Sequence, residues 1–344
     1  MFRLLRPLLF RIDPERAHSL TISLLAHLPV PAAPAADPLL QTRIAGLSFP
    51  SPIGLAAGFD KDARVWRQML GLGFGFVEVG TLTPRPQAGN PRPRIFRLME
   101  DNSVINRLGF NGGGLDAALL RLPADGCHPQ LGVNVGANRN SVDRIVDYAD
   151  CIRRVRDRAA WITINISSPN TPGLRGLQDA ALPELLHAAS EARGPGGPPL
   201  FLKLAPDLDE AQIDSICASV LASDIAALII ANTTISRPAT LRSSHAGQSG
   251  GLSGAALKPL ATATLRAFSQ RLGARLPLIG AGGIGSGADA YARIRAGASA
   301  VQLYTAMVYQ GPMLAARIAR ELAKLLRRDG FRNVADAVGT AQEG

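Results

Sequence analysis

At 344 residues the chain is long enough for two average domains or one large α/β barrel, and 47% apolar residues supply an ample core. Only 19% charged and 5% aromatic residues argue against a disordered chain. The net charge of +10 admits an anionic partner, but nearly all of the excess is arginine, so coding bias explains it equally well and it carries little weight.

The first residues, Met1 to Phe10, are basic and leucine-rich like a signal or transit peptide. The apolar run is short, no small-residue cleavage site follows, and Asp13 and Glu15 arrive early, so the segment is expected to be retained. Leu4, Leu5, Leu8 and Leu9 alternate with Arg3, Arg6 and Arg11 in a first short helix. Asp13 is an N-cap and Pro14 a first helical residue for a second helix, with Ala17, Leu20, Thr21, Leu24, Leu25 and Leu28 on one stripe. A proline- and alanine-rich linker, Pro29 to Pro38, closes a unit expected to span 1–38. Two readings stay open for it: a helical hairpin packed on the rest of the chain, or an interfacial pair that dips into lipid with arginines on phosphates. No run of 18 apolar residues occurs that could span a bilayer.

From residue 42 onward short apolar runs alternate with helical patterns. Strands are expected near Ile53–Ala57, Phe76–Gly80, Gly132–Val135, Trp161–Ile166, Leu200–Leu204, Ala227–Ala231, Pro277–Gly280 and Ala300–Tyr304. Helices are expected at Val142–Arg156, Glu210–Leu221 and Pro312–Arg327, among others. Eight βα units predict a (β/α)8 TIM barrel over 39–334, with a doubly wound open sheet as the alternative and 335–344 as a flexible tail. Several strands carry one polar residue between aliphatics: Glu78, Asn134, Asn165, Lys203 and Gln302. Strand side chains alternate faces, so these point into the barrel, where each needs a partner. Glu78 is expected to pair with Lys203, with Gln302 bridging, and the others to face a polar ligand at the barrel mouth.

The segment Ile164 to Asn170 places Asn165, Ser167, Ser168 and Asn170 where the fourth strand ends, with Pro169 stiffening the turn. Such a group can read a small polar ring and move a proton on it. Further on, Gly280-Ala-Gly282-Gly283-Ile-Gly285 fits a dinucleotide fingerprint literally, yet no acid follows about 20 residues later. As the seventh βα loop it suits the single phosphate of FMN better, with Gly250–Gly254, read as the loop after strand six, adding backbone donors. The three cysteines (Cys127, Cys151, Cys217) are scattered and imply a reducing compartment. Cys127 beside His128 lacks further ligands at metal spacing, so no metal is expected.

These motifs together resemble the dihydroorotate dehydrogenases of the membrane-associated, quinone-using class, from Phe10 to about Gly311. The resemblance rests on Asp13–His18, Gly54–Lys61, Gly80–Pro86, Asn106–Asn111, Asn165–Arg175 and Asn232–Thr234. It implies oxidation of dihydroorotate to orotate in pyrimidine synthesis, with FMN taking the hydride and a quinone reoxidising it. By position, Ser168 would be the base, and Lys61, Asn106, Arg107, Leu108, Gly109, Phe110, Asn165, Asn170, Asn232 and Thr233 would hold the substrate. Ala57, Gly58, Phe59, Asp60, Lys61, Thr81, Asn134, Asn165, Lys203, Ala231, Gly254, Gly283, Tyr304 and Thr305 would hold FMN. His18, Arg97 and Tyr304 would face the quinone, and Thr171 and Phe110 would serve as proton relay and lid.

Serine at 168, where soluble classes carry cysteine, assigns the quinone class. Departures from the family pattern are Ala231 before Asn232, Ala306 after Thr305, and Ala137 and Arg139 where some relatives carry lysine. The implied location is peripheral on a membrane through residues 1–38, at the cytoplasmic face of the inner membrane in a bacterium. That unit is expected to serve quinone turnover and to be dispensable for the flavin half-reaction. A rival reading, a tRNA dihydrouridine synthase-like barrel, would need a strand-end cysteine and an RNA-binding helical domain. Neither is found in the sequence, and no nucleic-acid partner is expected.

Overall fold

The computed structural model describes residues 2–341. The side chains of Arg3, Leu4 and Leu5, assigned above to the first helix, and tail residues 342–344 lie outside the described residues. The chain opens with helices α1 (Phe2–Arg11) and α2 (Pro14–His27). Asp13 starts the second: its carboxylate accepts from the amides of Glu15 at 3.1 Å and Arg16 at 2.9 Å, which have no partner inside the first turn. Residues 29–37 carry no regular structure and press on the barrel. Gly71 lies so close beneath them that a Cβ there would stand 2.2 Å from the Pro31 carbonyl oxygen.

The strands, in chain order, are β1 (Thr42–Ile44), β2 (Leu47–Phe49), β3 (Ile53–Leu55), β4 (Phe76–Leu82), β5 (Ile95–Leu98), β6 (Ser103–Asn106) and β7 (His128–Val135). Then come β8 (Ala159–Asn165), β9 (Leu200–Leu204), β10 (Ile225–Ile230), β11 (Gly251–Gly254), β12 (Leu278–Ala281) and β13 (Ala298–Leu303). Strands β3, β4, β7, β8, β9, β10, β12 and β13 form a closed barrel of parallel strands in that order. Closure comes from β13 on β3, where Val301 pairs with Ile53, and it excludes the open sheet. Each apolar run read as a strand forms one of these eight.

Two small antiparallel sheets were not expected: the hairpin β1–β2, and a sheet β5–β6–β11. The second corrects the reading of Gly250–Gly254 as a loop, since Gly251–Gly254 pairs residue by residue with Asn106–Ser103. Four residues with two glycines carry no strand pattern, and the pairing is created by a distant partner.

Inside the barrel the side chains form layers. At one end Phe49 of the hairpin packs on Phe76 and Trp161, with Phe201 stacked beyond at 5.9 Å between ring centroids. Above this plug lies Glu78, fully buried. Its oxygens accept from Asn134 Nδ2 at 2.8 Å, Thr163 Oγ1 at 2.9 Å, Gln302 Nε2 at 3.1 Å and Trp161 Nε1 at 3.3 Å. Gln302 donates to Glu78 but does not bridge, since its Oε1 has no partner among the described residues, and the Glu78–Lys203 pair does not form. Lys203 is level with Asn165 in the β8–β9 register, above Glu78, and nearer donors saturate the carboxylate. Residues 335–341, expected as a loose tail, bond back to the barrel: the amides of Gly339 and Ala341 donate to the carbonyls of Ile294 and Arg295.

The aromatic plug leaves no spare volume. A Cβ on Gly132 would stand 2.0 Å from Trp161 Cε2. Gly132→Ala should therefore cost about 1–3 kcal/mol of stability, read as a lower urea midpoint at unchanged slope. An unchanged midpoint would mean that the indole can shift freely.

Candidate active site

Strand β8 delivers the site's first wall. Asn165 ends the strand and is held from all sides: its Nδ2 donates to Thr81 Oγ1 at 2.9 Å and Asn134 Oδ1 at 3.1 Å, and Tyr148 donates to its carbonyl at 2.6 Å. Its Oδ1 accepts from Ser167 Oγ at 2.9 Å, and Ser167 Oγ in turn accepts from Asn232 Nδ2 at 3.0 Å. Ser167 is consumed by this network. Ser168, the next residue, faces the other way into the cavity, and its Oγ accepts from the Asn170 amide at 3.3 Å. Asn170 Nδ2 donates to Asn106 Oδ1 at 3.3 Å, which joins the loop after β8 to the antiparallel sheet.

Arg175, not singled out from the sequence as a site residue, fixes this loop from behind. It donates to the Ser167 carbonyl at 3.1 Å and the Thr233 carbonyl at 2.8 Å, and pairs with Asp207 at 2.8 Å. Two strand-end loops are thereby tied to one guanidinium, a planar fork that lysine could not replace. Thr171, three residues after Ser168, keeps a buried hydroxyl with no partner among the described residues.

The opposite end of the cavity is backbone. Gly254 and Gly283 hold φ of +96° and +76°, and a Cβ on Gly283 would lie 2.5 Å from Lys258 Cβ, so only glycine fits there. Behind this turn Arg293 is 1% exposed and donates to the carbonyls of Ala281 and Gly282, both at 3.0 Å. Burial lowers its pKa to about 10. Asp289 accepts from the Gly285 amide, Ser286 Oγ and Lys258 Nζ, holding the turn against the helix Gly287–Arg295. Lys258, Asp289 and Arg293 gave no signal in the sequence beyond lying beside glycine motifs.

Between these ends two amines, Lys61 and Lys203, line the cavity without a hydrogen bond or ion pair to any described residue. Burial pushes both pKa values down, opposed at Lys61 chiefly by the charge of Glu15 and at Lys203 by that of Glu78. An unpaired buried amine calls for an anionic or electron-rich guest. The cavity measures about 1010 Å³, enough for a flavin and a small substrate together.

The cavity continues to α1 and α2. His18 packs edge-on against Phe59 and approaches the Tyr304 hydroxyl at 3.4 Å. Arg97 donates to the carbonyls of Phe10 at 3.2 Å and Ile12 at 3.0 Å and covers the Phe10 ring. One cavity thus runs from the Ser168 loop past the glycine turn to the apolar faces of the first two helices.

Most residues singled out from the sequence line this cavity; Asn134, Asp60, Arg107, Ser167 and Thr171 do not. Asn134 is buried beneath it in the Glu78 network. Asp60 spends its carboxylate on the amides of Arg64 and Val65, shaping the loop that carries Lys61. Arg107 turns outward, stacks on Phe96 and bonds Gln248, Ser249 and the Pro93 carbonyl. Cys127 is exposed, away from the cavity, while Cys151 and Cys217 are buried.

A sequence model of the family "Dihydroorotate dehydrogenase" matches residues 39–326. The chain is 56% identical to the dihydroorotate dehydrogenase (quinone) of Novosphingobium aromaticivorans, over 98% of this chain and 99% of that protein. It is 53% identical to the protein of the same name from Erythrobacter litoralis, over 99% of each. Among solved structures it superposes on the ligand-free DHODH of Eimeria tenella with a TM-score of 0.91 at 42% identity, covering 96% of this chain and 100% of that one. The complex of that protein with ferulenol gives a TM-score of 0.90 at 42% identity, covering 95% of each.

The environment of His18 sets a test independent of turnover. Burial, helped by the nearby Lys61 charge, lowers its pKa from 6.5 to about 3. The folded ring therefore stays neutral as pH falls through 6.5, while the unfolded chain gains a proton there. Stability from this group is complete above 6.5 and is lost progressively toward 3. An NMR titration of the His18 ring should show no inflection near 6.5; an inflection there would place the ring in water.

Proposed function

The chain belongs to the dihydroorotate dehydrogenase family, and from that premise we propose how its residues divide the work. It is a flavin-dependent oxidoreductase that oxidises dihydroorotate to orotate in pyrimidine biosynthesis and passes the electrons to a quinone. The nucleic-acid reading suggested by the charge is not favoured. We take the flavin to be FMN. What supports this is one glycine-lined phosphate end, at Gly254 and Gly283, without the acid a dinucleotide would need. When bound, FMN supplies a two-electron acceptor for the substrate hydride.

The observation that carries the assignment of roles is convergence: Lys61, Asn106, Asn165, Asn170, Asn232 and Ser168 all line one stretch of the cavity. The Lys61 amine meets the carboxylate of dihydroorotate, and the four asparagines read its alternating N–H and C=O edge. Ser168 Oγ takes the proton from carbon 5 as hydride leaves carbon 6. Serine is a weak base, so the hydroxyl must pass on its own proton as it accepts the substrate's. Thr171, with its unpartnered hydroxyl, is the candidate relay, and Phe110 the lid. Lys203, which lines the cavity, would hold the flavin's pyrimidine end, where a fixed cation would favour negative charge on reduction. Ala57, Gly58, Phe59, Thr81, Ala231, Tyr304 and Thr305 complete the flavin's surroundings, with Leu108, Gly109 and Thr233 beside the substrate.

Residues 1–38 serve the quinone side in this reading, with His18, Arg97 and Tyr304 along its path. No described helix is long and apolar enough to cross a membrane. Leu8, Leu20, Leu24 and Leu28 are exposed on or just after α1 and α2, which supports peripheral contact with lipid. In a bacterium the surface would be the cytoplasmic face of the inner membrane.

Purified protein should be yellow, and dihydroorotate should bleach it without oxygen; flavin-free protein after native purification would remove the assignment. Quinone should support turnover where fumarate and NAD do not. Ser168→Ala should slow flavin reduction by about 10²-fold or more, with Ser168→Cys retaining part of the rate. Unchanged reduction in the alanine variant would move the base elsewhere.

A further inference from the structure

Glu15 lies in the first turn of α2, far in sequence from the Ser168 loop, yet a continuous set of hydrogen bonds joins them. Its carboxylate accepts from Arg94 Nε at 3.0 Å and Nη2 at 2.6 Å, and from Arg92 Nη2 at 3.0 Å. Arg94 is only 5% exposed. Its other nitrogen, Nη1, donates to the carbonyls of Ala88 at 2.6 Å and Asn90 at 2.7 Å. Asn90 then spans the gap, its Nδ2 donating to the Arg107 carbonyl at 3.0 Å and the Asn170 carbonyl at 3.1 Å. Its Oδ1 accepts from Arg139 Nη1 at 2.7 Å. The Asn170 amide is the one bonded to Ser168 Oγ.

The backbone around this relay is closed tightly. Gly89 has φ of +77°, and a Cβ there would stand 2.3 Å from the Leu108 carbonyl oxygen and 2.8 Å from Arg94 Nη1. A Cβ on Gly109 would reach Asn90 Nδ2 at 2.9 Å. Segment 88–90 is therefore wrapped around the guanidinium, with no slack for a shorter or rounder cation. A two-point fork to carboxylate also fixes direction in a way that a single ammonium does not.

Resting on the roles given above, we propose that Glu15 and Arg94 are positioning residues: the seating of α2 on the barrel sets the Ser168–Asn170 loop and hence the rate of proton removal from dihydroorotate. This proposal departs from the expectation that residues 1–38 are dispensable for dihydroorotate oxidation. Neither Glu15 nor Arg94 lines the cavity. Their influence passes through Asn90. Glu15 has a second route to the same site, because its charge is the main support for the ammonium form of the buried Lys61.

The test uses full-length holoenzyme mixed anaerobically with dihydroorotate and no quinone. Glu15→Gln and Arg94→Lys should each slow flavin reduction about tenfold at saturating dihydroorotate, at wild-type flavin content and melting temperature. The double variant should be no slower than the worse single one, since both break one path. Reduction within twofold of wild type in either variant, or losses that multiply in the double variant, would overturn the proposal. Should these variants not fold, Asn90→Asp, which removes the donor to Asn170 without changing size, must show the same tenfold slowing, and a wild-type rate there overturns the proposal as well. Ser168→Ala separates the two readings. If it leaves reduction unchanged, the assignment of the base fails. If it slows reduction while Glu15→Gln does not, only the coupling to α2 fails.

Discussion

Glu78 is a carboxylate at zero exposure in the middle of a barrel, and the donors that surround it decide what the rest of the interior can do. A buried charge must be met by strong partners, or it costs several kcal/mol. Here the partners are neutral: an asparagine, a threonine, a glutamine and an indole. Because they suffice, Lys203 one level higher stays uncommitted and faces the cavity. Had Glu78 taken Lys203 as its mate, the cavity floor would present a closed ion pair. The same carboxylate also holds Asn134, which with Thr81 orients Asn165, so the cavity floor and the Asn165 wall are set by one group.

The division between Ser167 and Ser168 shows how backbone geometry assigns roles to identical side chains. At a strand end, neighbouring residues point to opposite faces. Ser167 turns inward and satisfies Asn165 and Asn232. Ser168 turns to the cavity, where its one side-chain bond among the described residues is accepted from a backbone amide. Sequence composition treats the two alike. The strand boundary distinguishes them, and Arg175 keeps that boundary fixed by holding the Ser167 carbonyl.

The barrel strands were legible because each is an aliphatic run with period-two interruptions, a local signal that needs no partner. The β5–β6–β11 sheet was not, since Gly251–Gly254 becomes a strand only through Ser103–Asn106. The cavity wall was legible as motifs, because the residues that face the cavity cluster after strand ends. Register was not: the expected Glu78–Lys203 pair fails by one level of the barrel. Lys258, Asp289 and Arg293 were missed for a related reason, as each acts on a glycine turn from behind. Arg107 and Asp60 illustrate the converse, lying within true motifs yet spending their side chains on neighbouring loops.

A boundary at residue 38 suggests a membrane-facing accessory joined to a self-sufficient barrel. The contacts of α2 argue against that separation. One face of the helix brings His18 to the cavity's apolar end, against Phe59 and Tyr304. Three residues earlier, Glu15 grips Arg94 and, through Asn90, the loop at the other end. Glu15 and Arg94 are 79 positions apart in the chain, so neither the proline linker nor the helical stripe could reveal the bond. A helix that lines one end of the cavity and is bonded through Arg94 and Asn90 to the loop at the other would, under the proposed roles, couple the geometry seen by the two reaction partners. With Ser168 as the proposed base this constraint would sharpen, because a weak base depends more steeply on placement than a thiolate would. Under the proposed roles, rigid seating of α2 would serve the proton-transfer chemistry as much as quinone access.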